Sequence, residues 1–439
     1  MESFEMIAKT LQGLEEVLAE EIVNLGGNDV EIGRRSVFFR GDKRLMYKAN
    51  LHLRTALRIL KPIASFEARD ADEIYAHLRQ VDWEEYMNLN QTFAVDTVVF
   101  SDNFNNSLYL SYKVKDAIAD SFNEKYGKRP SVRLVKPDIY VHLHVAHHIC
   151  TLCMDSSGES LHKRGYRTDQ TEAPLNEVLA AGMLLLAGWK GQTNFIDPMC
   201  GSGTLPIEAA LIALNIPPGI YRESFAFQHW KDYDKDLFDE LYDEDTQQPF
   251  EGKIYGSDIS RQAIAIAESN VRSAGLSKYI HLKQKAIQDI LTTVGNEGLL
   301  ITNPPYGERL KMDDLLGLYR DLGERLKHVF TGYTAWILSY REDCFDSLGL
   351  HPSERHALMN GSLECEYRKY EIFGGKMNDF KRERANRGFG RPHSDDRQAN
   401  PGRESRRGRE DSRRGREDSR RGPRNGRRPS DGTPHGYGE

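Results

Sequence analysis

The sequence predicts an α/β fold class: a doubly wound sheet over residues 166–380, an α+β unit ahead of it and a tail that cannot pack. Three observations carry that prediction. Between residues 170 and 375, apolar runs that end in polar loops alternate with helical spacing, as strand–helix–strand units do. Ahead of that stretch, short strands and helices follow one another without such regularity. Behind it, residues 381–439 repeat Ser-Arg-Arg-Gly-Arg-Glu-Asp and hold almost no apolar side chains, so they have nothing to bury.

The 439 residues suffice for two or three domains with substantial cores. No run of ~18 apolar residues occurs, so no membrane span is expected. The start, Met1-Glu2-Ser3-Phe4-Glu5, is acidic and lacks a signal-peptide pattern. Five cysteines do not make a disulfide framework in so long a chain, which fits a reducing cytoplasm. The net charge of −6 is unevenly divided. Residues 381–439 hold 18 Lys/Arg and 10 Asp/Glu, leaving 42 basic and 56 acidic residues for the remainder. An acidic body excludes a globally basic nucleic-acid binder, and any RNA surface must be local.

In the first 60 residues, apolar positions Leu11, Leu14, Val17, Leu18, Ile22 and Leu25 share one helical face, which Gly26-Gly27 ends. Residues 30–32 and 36–39 read as strands, and a second helix is expected over about 43–59, with Arg54 and Arg58 on one face. Residues 61–165 continue as α+β: a helix over 72–78, a strand over 92–100, and a helix over 108–126 that carries Lys113 and Lys115 and closes at Gly127. Arg129 and Arg133 follow in a basic loop, placed to touch a phosphate backbone. Residues 139–154 alternate as a strand does. His147, His148, Cys150 and Cys153 invite a zinc reading, but the two cysteines fall on opposite strand faces and no second pair has zinc-site spacing. No metal is expected. Residues 161–167, with Lys163, Arg164 and Arg167, form a basic aromatic junction.

Residues 174–189 then read as a helix with Pro174 in its first turn. The strand ending at Asp197 leads through Pro198-Met199-Cys200-Gly201-Ser202-Gly203-Thr204 into a helix over 205–214. Glycines there let the backbone approach a ligand, and a helix start offers free N–H groups. Pro206 stands where a dinucleotide fingerprint has its third glycine, which counts against a nicotinamide cofactor. Residues 215–250, aromatic and acidic, look like an insertion. A second strand ends in Asp258, placed either to hold ribose hydroxyls or to cap the helix over 261–274. A third strand precedes Asp289, an acceptor for an adenine amine. The fourth, residues 299–302, stops in Asn303-Pro304-Pro305-Tyr306-Gly307. Two prolines stiffen that turn and leave it rich in acceptors, Asn303 adds an amide oxygen, and Tyr306 adds a flat face for a base. The set suits holding a planar amine by its two N–H groups. A helix over 315–329 and a strand over 334–339 follow.

Residues 197–204 together with 303–307 resemble the motifs of class I S-adenosylmethionine-dependent methyltransferases that act on exocyclic amines. The upstream half, notably 113–118, 129–132 and 161–167, resembles a ferredoxin-like segment plus a THUMP domain. Together they are similar to bacterial 23S rRNA guanine-N2-methyltransferases. The resemblance implies a seven-stranded Rossmann-like methyltransferase domain over 166–380, preceded by a ferredoxin-like segment (1–60) and a THUMP domain (61–165), with a disordered tail over 381–439. It implies S-adenosylmethionine in contact with Asp197, Pro198, Gly201, Gly203, Thr204, Asp258, Asp289 and Asn303. Gly201 and Gly203 would pass under the methionine part, and Asp197 would shape the loop. Asn303 and Pro304 would hold guanine N2, and Tyr306 would stack on the base. Lys113, Lys115, Arg129, Arg133, Lys163, Arg164 and Arg167 would face RNA. Some relatives carry a second methyltransferase domain, for which the region after residue 375 is too short, so one activity is expected. The expected partner of this monomer is 23S rRNA or a pre-ribosomal particle, with tail arginines adding salt-sensitive attachment. A tRNA guanine-N2-methyltransferase or a non-catalytic ribosome-assembly factor are the alternatives.

Overall fold

The computed structural model describes residues 2–170, 174–307 and 314–374. The tail, 381–439, lies outside the described residues. The N-terminal half runs β1 (Phe4–Lys9), α1 (Glu15–Asn24), β2 (Asn28–Gly33), β3 (Ser36–Gly41), α2 (Lys43–His52), β4 (Arg58–Glu67), α3 (Ala71–Leu78), α4 (Trp83–Tyr86), β5 (Phe93–Phe100), α5 (Ser107–Tyr126), β6 (Ile139–Ala146) and β7 (Ile149–Asp155). Its seven strands form one sheet, ordered β2-β3-β1-β4-β7-β6-β5. Strand β4 belongs to both parts of the module, pairing with β1 at its start and with β7 along its length. A division between residues 60 and 61 therefore falls inside a strand. Pro62, which has no ladder donor, is accommodated because the register shifts between Pro62 and Ala64.

The helix expected to reach residue 59 stops at His52. Glu21 of α1 accepts the backbone N–H groups of Arg54 (2.8 Å) and Thr55 (3.0 Å), which holds the chain away from helical pairing before β4 begins. Arg54 is thereby buried, and Arg58 lies in β4 paired with Asp155, so the two share no helical face. Helix α5 follows the expectation closely: Asn106 caps it, and Gly127 ends it in the left-handed region at φ 65°.

The second half runs α6 (Glu177–Leu186), β8 (Asn194–Asp197), α7 (Thr204–Ala213), α8 (Lys235–Tyr242), β9 (Ile254–Asp258), α9 (Arg261–Ser273), β10 (Ile280–Gln284), β11 (Gly298–Thr302), α10 (Leu315–His328), β12 (Tyr333–Ser339), α11 (Glu342–Ser347), β13 (Glu354–Asn360) and β14 (Leu363–Glu371). Helix α6 starts after Pro174, because Asn176 caps it through the N–H groups of Val178 and Leu179. The seven strands are ordered β10-β9-β8-β11-β12-β14-β13, and only β14 runs antiparallel to its neighbours. Strand order reverses between β8 and β11, which opens a crevice at their carboxyl ends. The apparent insertion is part of the N-terminal core: Phe225, Phe227, Trp230 and Phe238 share a buried cluster with Tyr47, on which Phe227 stacks at 4.3 Å.

Candidate active site

The carboxyl ends of β8, β9 and β11 surround a cavity of about 1000 Å3. Asp197 ends β8 with its carboxylate buried, accepting Thr302 Oγ1–H (2.9 Å) and the Met199 N–H (3.2 Å). Thr302 ends β11, so Asp197 ties the two strands flanking the reversal. Burial pushes the Asp197 carboxyl up to about 7; the nearby Asp258 charge also raises it, while the two hydrogen bonds pull down.

Beyond Asp197 the chain turns tightly. Gly201 sits at φ 51°, on the cavity wall, with open space where a Cβ would stand. Its N–H donates to Asp258 Oδ2 at 3.0 Å. Gly203, at φ 85°, serves a different end: it starts α7, and a Cβ there would meet Ala267 Cβ of α9 at 3.1 Å. It is not on the cavity wall, whereas Pro198, Gly201 and Thr204 are. Asp258 accepts the Ser260 N–H (2.9 Å) through its other oxygen, and Ser260, not Asp258, caps α9. The capping role is thus taken, and the Asp258 carboxylate keeps lone pairs facing the cavity. Asp289 is exposed and outside the cavity wall; Ala286, Ile287 and Gln288 provide that edge instead. In the 3-10 turn Ile287–Asp289 both Gln288 and Asp289 are exposed, and of the two only Gln288 borders the cavity.

Asn303, Pro304 and Tyr306, which follow β11, line the same cavity. Tyr306, expected to offer a flat face to a base, is mostly buried. Its hydroxyl donates to Asn303 Oδ1 and accepts from Asn360 Nδ2 (3.2 Å), and its ring meets Tyr340 edge-on at 5.6 Å. Asn360 lies at the β13–β14 turn, where Gly361 takes φ 65°.

Two predicted RNA contacts are internal. Arg164 is 2 % exposed: its guanidinium donates to Glu208 on α7 (3.3 Å) and to the carbonyls of Arg54 (2.6 Å) and Leu161 (2.9 Å). Arg167 donates to Glu177 (2.8 Å), Ser202 Oγ (2.9 Å) and Thr204 Oγ1 (2.8 Å), bracing the glycine loop from below. Asn270 of α9, which the sequence did not single out, braces the same loop through the Ser202 carbonyl (3.0 Å) and is buried. Among the others, Lys113 pairs with Asp72 (2.7 Å), Arg129 with Asp120 (2.8 Å) and Lys163 with Glu159 (3.1 Å). Lys115 lies over the Tyr112 ring at 5.1 Å, and Arg133 is exposed.

The geometry suits S-adenosylmethionine: a side-chain-free glycine, a strand-end carboxylate for ribose, and an acceptor-rich turn lining the same cavity. The RMKL-like methyltransferase domain matches residues 164–369, the THUMP domain 68–155 and the RlmL ferredoxin-like domain 5–60. The chain is 38% identical over 373 residues to slr0064 of Synechocystis sp., which bears an RNA methyltransferase name, covering 83% of this chain and 96% of that protein. It is 39% identical over 375 residues to the ribosomal RNA large subunit methyltransferase K/L of Syntrophotalea carbinolica, covering 82% of this chain and 52% of that protein. The chain thus spans about half the length of that relative. Among solved structures, SMU.472, described as a methyltransferase complexed with SAH, superposes with a TM-score of 0.74 at 32% identity, covering 86% of this chain and 100% of that one. The chain therefore belongs to the THUMP-containing family of class I, S-adenosylmethionine-dependent RNA methyltransferases.

Proposed function

We propose that this chain methylates the exocyclic N2 amine of a guanine in large-subunit rRNA, acting in the cytoplasm. The observation that carries this is that Asn303 and Pro304 line the same cavity as Gly201 and Asp258. Asn303 Oδ1 and the Pro304 carbonyl are acceptors only. An amine offers two N–H groups to them, whereas a ring nitrogen such as N7 offers none. Accepting both N–H bonds turns the nitrogen lone pair out of conjugation and toward the cofactor side. S-adenosylmethionine, when bound, supplies an electrophilic methyl on sulfur. The residues here supply orientation, worth up to ~7–11 kcal/mol for a well-aligned pair. The amine becomes acidic once its lone pair forms the new N–C bond, so its proton leaves to solvent without a strong base. Gly201 and Asp258 would hold the methionine and ribose portions, and Gln288 would face the adenine.

Tyr306 currently bonds the amide oxygen that the substrate amine would use. Entry of the base therefore exchanges one O–H···O bond for N–H···O bonds and frees the ring to stack. The guanine must be unstacked from its helix to reach this depth.

The rRNA reading is supported by the THUMP match and by the K/L relative. Mass-spectrometric mapping of methylated bases in RNA from cells lacking this protein tests it. Loss of one N2-methylguanine from large-subunit rRNA is expected. Loss of a tRNA methyl group, of N7-methylguanine or of methyladenine would replace it.

A further inference from the structure

A second groove lies on the sheet outside the methyl-transfer cavity. Strand pairing sets its chemistry. In the parallel register His281 stands beside Tyr255 and Lys283 beside Ser257. Alternation then places Lys253, Tyr255, His281, Lys283 and Lys285 toward one face, and Ile254, Ile280 and Leu282 toward the other. The apolar set packs in the core with α7 and α9 residues. The other face is covered only in part: Tyr255 packs beside Ile290 and Phe330, and the crossover from β10 to β11 contains the 3-10 turn Ile287–Asp289 in place of a helix. What remains is a groove of about 460 Å3 with Phe330 in its lining.

Its charge is uncompensated. Lys253, Lys283 and Lys285 make no ion pair among the described residues. Three lysines on or beside two adjacent strands, with no acidic side chain in the groove lining, make a local positive surface on an acidic body that attracts an anionic chain. Tyr255 and His281 stack at 5.3 Å between them, a flat platform of the kind on which unpaired bases rest. The groove also leads into the site: Lys285 N–H donates to the Asp258 carbonyl (2.9 Å), and the next residue, Ala286, lines the cavity.

We propose that this groove holds a single-stranded RNA segment flanking the target nucleotide, with its phosphates on Lys253, Lys283 and Lys285 and a base on the Tyr255–His281 platform. The proposal rests on the RNA reading above. The test compares wild-type protein with Lys253→Gln/Lys283→Gln/Lys285→Gln and with the corresponding triple arginine variant. Binding of in-vitro-transcribed 23S rRNA is followed by fluorescence anisotropy across salt concentrations, and methyl transfer is assayed beside it. The glutamine variant should lower the salt slope by about 2, at ~0.7 per single-strand phosphate contact. It should raise KM for RNA at least tenfold at low salt, with kcat and cofactor affinity within twofold. The arginine variant should restore both. An unchanged slope and KM in the glutamine variant, with wild-type methylation intact, overturns the groove alone. A wild-type protein that binds the transcript through this groove yet methylates no RNA overturns the proposed reaction and leaves the groove standing.

Discussion

Removing the carboxylate of Glu208 should destabilise the fold because it strands a positive charge inside it. Arg164 and Glu208 are both buried, and the arginine Nε and Nη2 reach the carboxylate at 3.3 and 3.5 Å. Tyr166 OH donates to the same carboxylate at 3.0 Å. In Glu208→Gln the tyrosine keeps an acceptor and the shape is preserved, so the loss is electrostatic. Breaking one side of a buried pair costs about 3–5 kcal/mol, and the remaining carbonyl acceptors of Arg54 and Leu161 place this case near ~3. Replacing both partners with methionine should cost much less, because no charge is left behind. The assay is urea denaturation followed by tryptophan fluorescence; Trp189 is a local reporter, since its indole donates to the Ala209 carbonyl beside Glu208 (2.9 Å). The double-mutant cycle should return a coupling of about 2 kcal/mol or more. A Glu208→Gln change below ~0.5 kcal/mol, or an Arg164→Met variant that loses RNA affinity at full stability, would refute the internal role and return Arg164 to the surface.

Asp258→Ala should weaken S-adenosylmethionine binding at least tenfold by calorimetry and leave RNA affinity unchanged; an unaltered dissociation constant would remove Asp258 from the cofactor site. Asp197 is held protonated by burial up to about 7, against 3.8 when unfolded. Its stabilising contribution is therefore full below pH 4 and is lost as pH rises through 7. Asp197→Asn should flatten that part of the melting-temperature profile, and a profile parallel to wild type would contradict it. Tyr306→Phe should keep turnover within about threefold, because the ring remains, whereas Tyr306→Ala should raise KM for RNA by ~5-fold or more from lost stacking. Equal kinetics for the two variants would show that the ring does not meet the base.

The methyltransferase half was largely legible because its information is local. One strand ends in Asp197 and a glycine turn follows; the next ends in Asp258 and Ser260 caps the helix after it, and each step lies within ten residues. Asn303-Pro304-Pro305-Tyr306 is read the same way. What stayed hidden depends on distant partners. Arg164 and Arg167 sit in a basic aromatic stretch that looks like an RNA contact, and nothing nearby announces Glu208 or Ser202, which lie 44 and 35 residues on. The early end of α2 comes from Glu21, 33 residues before Arg54. Asp289, read as the adenine acceptor, lies outside the cavity wall while Gln288 lines it, because periodicity does not fix the phase of a 3-10 turn. The β13–β14 hairpin did leave a signal, Gly361-Ser362 between alternating segments.

Methyl transfer by Asn303→Ala, measured in single turnover beside calorimetric S-adenosylmethionine binding, probes the amine grip most directly. The rate should fall about 10²–10³-fold, the scale of one lost preorganised polar contact. Folding and cofactor affinity should stay as in wild type. Transfer at a near-normal rate would mean that something other than Asn303 presents the amine.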